Sequence, residues 1–303
     1  MGSPTGGTGM TTRLAFIGLG IMGTPMAEHL VRAGFDVTGY NRSPAKTRRL
    51  VEAGGRAANS IEEAVADADI VCVMVPDSPD VREVLAGTGG VFDTARPGTL
   101  VIDFSSIRPD VSNELWHQAK AQGFRLLDAP VSGGQAGAVN ATLSIMVGGE
   151  VADVEAAQPV LQAVGRTIAH VGPSGSGQTV KAANQLIVAG HLELLAEAIV
   201  FLEAYGVDTR KAMTVLGGGL AGSAVLNQKS EAMLTRSFQP GFRVELHHKD
   251  LGIVTSAARE AGVVIPLGAV VAQLMASLKA QGNADDDHSA LLKLLERLNG
   301  RRS

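Results

Sequence analysis

The amino-acid sequence predicts an α/β fold in two parts, a doubly wound sheet of parallel strands followed by an all-α domain, with one long helix joining them. Three observations predict it. From Arg13 to about Gly172, short apolar runs alternate with amphipathic stretches of helical period, the pattern of strands linked by helical crossovers. After the glycine-rich stretch 172–177 the strand signals vanish, and the apolar residues recur at helical spacing between glycines. The 303 residues, 45% apolar and 18% charged, suffice for two modest cores.

The apolar runs 14–17, 37–40, 70–75, 100–104, 125–128, 143–147 and 167–171 are the expected strands. Ser43 with Pro44 marks an N-cap and a first turn, Gly54 a stop, and Ser60 with Glu63 a capping box. Residues 178 to about 205 are expected to form a single helix roughly 40 Å long. The resulting division is a disordered tail over 1–12, a sheet domain over 13–173 and a helical domain for substrate and association over 174–303. The tail is rich in Gly, Ser and Thr, and Met10 offers an alternative start.

A net charge of −4 provides no field that would attract nucleic acid or an anionic membrane, so neither is expected as a partner. The single cysteine, Cys72, lies inside the apolar run 70–75, which excludes a disulfide within the chain and reads as a buried, reduced thiol. No stretch approaches the roughly 18 uncharged residues of a membrane span, and the N-terminus lacks a charged region followed by an apolar one. A cytoplasmic location is expected.

The first strand runs directly into Gly18-Leu19-Gly20-Ile21-Met22-Gly23, followed by an amphipathic helix to about Ala33. In that strand, turn and helix context the pattern G-x-G-x-x-G is a dinucleotide-binding signal, which makes the sheet domain Rossmann-type. Gly18 permits the tight turn, Gly20 lets a pyrophosphate approach the backbone, and Gly23 lets the helix pack on the strand, while the helix N-terminus favours the phosphates. A merely structural turn is the competing reading.

After the second strand come Asn41, Arg42 and Ser43, where an NAD enzyme usually carries an acid. A carboxylate would repel the 2′-phosphate of NADP, whereas a guanidinium and a hydroxyl can bind it, with Lys46 one turn later. NADPH is therefore the expected cofactor, with NADH still usable. The rival reading makes Arg42 and Lys46 solvated helix-end charges. Val75 with Pro76, and Ser106, follow the carboxyl ends of two further strands, where adenosine and the nicotinamide ribose would lie. Ordinary turn chemistry is the alternative for both.

The stretch Asp128-Ala129-Pro130-Val131-Ser132-Gly133-Gly134 offers the Ser132 hydroxyl and the Gly133 and Gly134 N–H groups to a substrate carboxylate, or serves only as a turn. Lys181 and Asn184 share one face of the long helix among small apolar neighbours, so an inward ammonium would be costly without a task; a surface lysine is the alternative. His247 and His248 are adjacent and point about 100° apart on a helix, and with one cysteine no metal site is expected. His248 and His288 read as structural, and 285–287 as a helix cap.

From Arg13 onward the chain resembles the β-hydroxyacid dehydrogenase family, on four blocks: 18–27, 128–134, 172–184 and Lys249-Asp250-Leu251. Within that family it is most similar to reductases of short carboxylated semialdehydes, on Gly218-Gly219-Leu220-Ala221-Gly222-Ser223, Phe238-Gln239-Pro240-Gly241-Phe242-Arg243, Leu246-His247-His248-Lys249-Asp250-Leu251 and Asp287-His288-Ser289-Ala290-Leu291. The resemblance implies Lys181 as the catalytic lysine and a small carboxylate-bearing aldehyde or hydroxyacid as substrate. It implies substrate contacts from Ser132, Gly133, Gly134 and Asn184, a place beside the cofactor for Lys249, and a homodimer or homotetramer; Ser106, at its strand end, is a further candidate for contact with substrate. Asn41-Arg42 departs from relatives that use NAD. A non-catalytic cofactor-binding module is the reading from another class, and a proton donor such as Lys181 argues against it. An imine reductase is a further rival, against which a lysine at 181 also speaks.

Overall fold

The structure is a computed structural model that describes residues 11–301. The tail expected over 1–12 therefore lies, apart from its last two residues, outside the described residues. The described residues divide into two compact units, one ending at Gln178 and the other beginning at Thr179.

Among the described residues of the first unit, nine strands form one sheet: β1 (Arg13–Ile17), β2 (Asp36–Tyr40), β3 (Arg56–Ala57), β4 (Ile70–Val73), β5 (Leu100–Asp103), β6 (Arg125–Asp128), β7 (Val131–Ser132), β8 (Leu143–Gly148) and β9 (Gly165–Gly172). Their order is β3-β2-β1-β4-β5-β6-β8, with β7 and β9 also paired to β8. Helices α1 (Gly23–Arg32), α2 (Arg48–Glu52), α3 (Ile61–Val65), α4 (Ser78–Ala86), α5 (Val91–Thr94), α6 (Pro109–Ala121), α7 (Gly134–Val139) and α8 (Val151–Val164) complete the unit. Side chains alternate along β1, so Leu14 and Phe16 enter one core while Ala15 and Ile17 enter another. A sheet with a core on each face is what near-continuous apolar strands such as Ile70–Val73 require.

Three expectations fail here. The strands are not all parallel: β8 runs antiparallel to β6 and β7. Residues 133–142 join β7 to β8, fewer than the dozen or so that a parallel crossover needs. Ser43 does not cap with its side chain, and a 3-10 turn, Pro44–Thr47, precedes α2. Ser60 does cap, its Oγ accepting from the Glu63 N–H at 3.0 Å, but Glu63 accepts from the Asn59 N–H at 2.7 Å, one residue earlier than a capping box predicts.

Helix α9 (Ser176–Ala204) begins in the first unit and continues into the second, where α10 (Thr209–Gly217), α11 (Ala224–Leu234), α12 (Val244–Glu260), α13 (Pro266–Leu278) and α14 (Leu291–Leu298) follow. Leu192, Ile199, Met233, Leu251 and Met275 are among the residues of their common core. Against the expectation from sequence, α9 is long and apolar enough to cross a membrane by length and composition. Half of its most apolar stretch is nevertheless buried within the chain. On its other side Val180, Ile187, Leu194 and Phe201 recur every seven residues and are 37, 57, 53 and 61% exposed, with Tyr205 at 75%.

The start of α9 is fixed by Asp128. This buried carboxylate accepts from the backbone N–H of Gly175 at 2.8 Å and of Gln178 at 2.9 Å, satisfying two of the groups a helix start leaves without partners. The Gln178 side chain adds bonds to the Ile107 N–H at 3.0 Å and the Ser105 carbonyl at 2.8 Å. Burial raises the Asp128 pKa although these N–H groups oppose the shift. Replacing Asp128 by Ala leaves the two N–H groups unpaired. The expected result is a loss of about 1–3 kcal/mol in denaturant unfolding, with faster hydrogen exchange at Gln178. Unchanged exchange at that amide would contradict the capping role.

Candidate active site

In the first unit, the residues expected to hold a dinucleotide follow the carboxyl ends of parallel strands. Gly18 follows β1 with a φ of +99°, and a Cβ there would lie 2.1 Å from the Met74 carbonyl oxygen. At Gly23, the first residue of α1, a Cβ would lie 1.9 Å from the Gly18 carbonyl oxygen. At Gly20 it would meet nothing within 4 Å, so the middle glycine alone opens on free space. That pattern of two crowded glycines and one open one is the fit a pyrophosphate needs against a backbone. Leu19, Ile21 and Met22 complete the turn. The Leu19 N–H donates to the Asn41 Oδ1 at 3.0 Å, and Asn41 Nδ2 donates to the Ser43 carbonyl at 3.2 Å. Asn41 thus ties the glycine turn to the loop after β2.

Arg42 is 3.3 Å from the Asp80 carboxylate at the start of α4, and its side chain is 80% exposed. Lys46 is exposed on the neighbouring 3-10 turn. Val75, just past β4, donates its N–H to the Ser105 Oγ at 3.0 Å; Pro76 follows it, and Ser106 follows Ser105 in the loop after β5. Ser132 ends β7, and Gly133 and Gly134 turn the chain into α7 with φ of +132° and +59°. Both angles lie in the left-handed region that favours glycine.

In the second unit, Lys181 is the centre of a buried polar cluster. It is 9% exposed and donates to Gln185 Oε1 at 3.1 Å. Asn184 Nδ2 donates to the same oxygen at 2.8 Å, and Gln185 Nε2 donates to Asp250 Oδ2 at 2.5 Å. Lys249 Nζ lies 3.0 Å from the other Asp250 oxygen. Burial brings the Lys181 pKa down to about 8; Asp250 opposes the shift and Lys249 adds to it.

Behind this cluster, His247 Nε2 lies 3.4 Å from the Gln185 backbone oxygen, and His247 Nδ1 lies 3.0 Å from His288 Nδ1. Burial holds both imidazoles below their ordinary pKa. Asp287 caps the turn that carries His288 and is held by Lys229 at 2.9 Å. Its buried carboxyl stays below the usual range because His288, Ser289 and Lys229 outweigh burial. From sequence alone, Gln185 and Asp250 have no role of their own and His247 is weighed only as a metal ligand. Gln185 could have been singled out, because it lies four residues beyond Lys181 and so shares its face. Among the described residues no group of three or more His, Cys, Asp and Glu could hold a metal ion.

A dinucleotide fold, a glycine turn shaped for a pyrophosphate and a buried lysine define an NAD(P)-dependent oxidoreductase. Residues 13–172 match the NAD binding domain of 6-phosphogluconate dehydrogenase. Residues 175–295 match the NAD-binding domain of NADP-dependent 3-hydroxyisobutyrate dehydrogenase. The chain is 40% identical over 284 residues to the 2-hydroxy-3-oxopropionate reductase of Escherichia coli (strain K12), covering 94% of this chain and 97% of that protein. It is 35% identical over 289 residues to the 2-(hydroxymethyl)glutarate dehydrogenase of Eubacterium barkeri, covering 95% and 96%. The solved 3-hydroxyisobutyrate dehydrogenase of Mycobacterium tuberculosis with L-serine superposes with a TM-score of 0.86 at 36% identity, over 94% of this chain and 99% of that one. The chain belongs to the β-hydroxyacid dehydrogenase family.

The glycine geometry separates binding from folding. Gly20→Ala is expected to keep the melting temperature and weaken dinucleotide binding at least tenfold, since its Cβ intrudes only on the open space. Gly23→Ala must displace the backbone of the turn and is expected to lower the melting temperature by several degrees. Calorimetry and cofactor titration of the two variants check this; equal behaviour would refute the assignment.

Proposed function

We propose that the protein reduces tartronate semialdehyde to glycerate, with NADPH preferred over NADH and Lys181 as the general acid. The observation that carries the reading is the buried ammonium of Lys181 beside Asn184, with a pKa near 8. A bound nicotinamide dinucleotide supplies the hydride that reduces the carbonyl carbon. Gly18 to Gly23 would hold its pyrophosphate, Val75, Pro76 and Ser106 would border it, and Lys249 is the further residue proposed to contact it. Ser132, Gly133 and Gly134 hold the substrate carboxylate, and Asn184 orients the carbonyl group. Lys181 then gives its Nζ proton to the carbonyl oxygen as negative charge develops there.

The choice of tartronate semialdehyde is supported by the 40% identity to the Escherichia coli enzyme. The likeness to the Mycobacterium tuberculosis structure favours a second reading, 3-hydroxyisobutyrate or another short semialdehyde or glyoxylate as substrate. The preference for NADPH is supported by Asn41, Arg42, Ser43 and Lys46 standing where a carboxylate would bar a 2′-phosphate. The cytoplasmic location and the role of the helical unit in substrate choice belong to the same reading.

A second copy of this chain is the proposed cover for the exposed face of α9. Its apolar residues recur at the seven-residue spacing with which two helices pack, so the face is complementary to itself. With the two aromatic rings at one end it offers on the order of several hundred Å², near the 800 Å² per partner of a stable dimer.

The substrate reading is checked by assaying tartronate, methylmalonate and succinic semialdehydes and glyoxylate with NADPH and NADH. Tartronate semialdehyde with NADPH is expected to give the highest kcat/KM, and equal or better use of NADH would overturn the cofactor preference. In the same assay Lys181→Ala should lower turnover by about 10²- to 10⁴-fold with cofactor affinity kept. Because the protonated lysine is the donor, reduction should fall as pH rises through about 8, while oxidation, which needs the neutral amine, should rise. The association reading predicts that Leu194→Glu converts the oligomer to monomers in analytical ultracentrifugation; an unchanged sedimentation coefficient would exclude α9 as the interface.

A further inference from the structure

We propose that Gln185 is the positioning residue of this site: its side-chain amide sets where the Lys181 ammonium and the Asn184 amide lie. The inference rests on Lys181 being the proton donor.

The geometry fixes the amide uniquely. An ammonium only donates and a carboxylate only accepts, so with Lys181 on one side and Asp250 on the other, one of the two amide orientations satisfies both. Oε1 then faces Lys181 and Nε2 faces Asp250. The same oxygen takes a hydrogen from Asn184 Nδ2 at 2.8 Å, which fixes the nitrogen end of that amide toward Gln185.

Gln185 is itself held at two points. Its side chain is anchored by Asp250, which Lys249 pairs from the far side at 3.0 Å. Its backbone oxygen faces His247 Nε2, so that nitrogen carries the hydrogen and His247 Nδ1 is the acceptor for the His288 Nδ1–H. Asp287 and Lys229 stand behind His288. The charged and titratable groups around Gln185 are therefore Lys181 on α9, His247, Lys249 and Asp250 on α12, and His288, Asp287 and Lys229 behind them.

A neutral amide does here what neither neighbouring residue type can. It accepts a hydrogen bond from the ammonium, so the buried cation is not left unsolvated, and it adds no negative charge that would make the proton harder to give. A leucine would leave the ammonium without that acceptor. A glutamate would add a second carboxylate beside it.

The test is the titration midpoint of Lys181 itself, read by competitive labelling of the full-length protein with a small anhydride and mass spectrometry across pH. Gln185→Leu is expected to lower that midpoint by roughly one unit and Gln185→Glu to raise it by a similar amount. Turnover is expected to fall about tenfold or more in both, with the high-pH limb of reduction following each midpoint. A midpoint that stays at the wild-type value in both variants would overturn the proposal, even where turnover is lost. Should the leucine variant not fold, the direction of the glutamate shift decides alone. A labelling midpoint that moves as expected while the activity limb does not follow it would refute Lys181 as the acid and leave the positioning by Gln185 intact.

Discussion

An ammonium nitrogen taken out of water must be compensated, and the cluster around Lys181 is arranged by that constraint. Desolvation of a cation costs several kcal/mol even after relaxation, far more than one neutral hydrogen bond returns. A direct pair with Asp250 would remove the cost but fix the proton firmly on the amine. In this chain the compensation is divided: an amide oxygen accepts from Nζ, and the carboxylate stands one residue further off, shared with Lys249. The pKa near 8 reflects that balance between burial, one carboxylate and one competing cation.

A second constraint acts on the backbone. The turn after β1 and the start of α9 are both places where main-chain groups approach too closely for a side chain. At Gly23 a Cβ would strike the turn, and at Gly177 it would lie 2.4 Å from the Met146 oxygen and 2.7 Å from the Asp128 carboxylate. The glycines therefore serve packing at some positions and leave ligand space at others, and only the structure separates the two. Asp128 shows the same dual economy of space, since its carboxylate can reach Gly175 and Gln178 only because Gly148 and Gly177 carry no side chain.

The sequence made legible whatever depends on local spacing. The strand, turn and helix around Gly18 to Gly23, the long helix, and the shared face of Lys181 and Asn184 all follow from periodicities of two and 3.6. It did not reveal contacts between distant segments. Gln185 and Asp250 are 65 residues apart and Asp128 and Gln178 are 50 apart, and no spacing rule connects them. The two-residue strands β3 and β7 escaped for a different reason: Arg56-Ala57 and Val131-Ser132 are too short to carry a pattern. The pairing of His247 with His288 was hidden in the same way, because adjacent His247 and His248 look alike in sequence and only the fold buries the first.

The salt link from Arg42 to Asp80 changes what recognition of a 2′-phosphate would mean in this chain. The guanidinium, though exposed, already stands beside one anion, supplied by the first turn of α4. On the proposed reading, capture becomes an exchange in which a dianionic group displaces a monoanionic one, and the carboxylate left behind stays close enough to oppose the newcomer. Selectivity then reports a difference between two partners of the same arginine, which makes it small, sensitive to ionic strength, and adjustable from a residue that never touches the ribose.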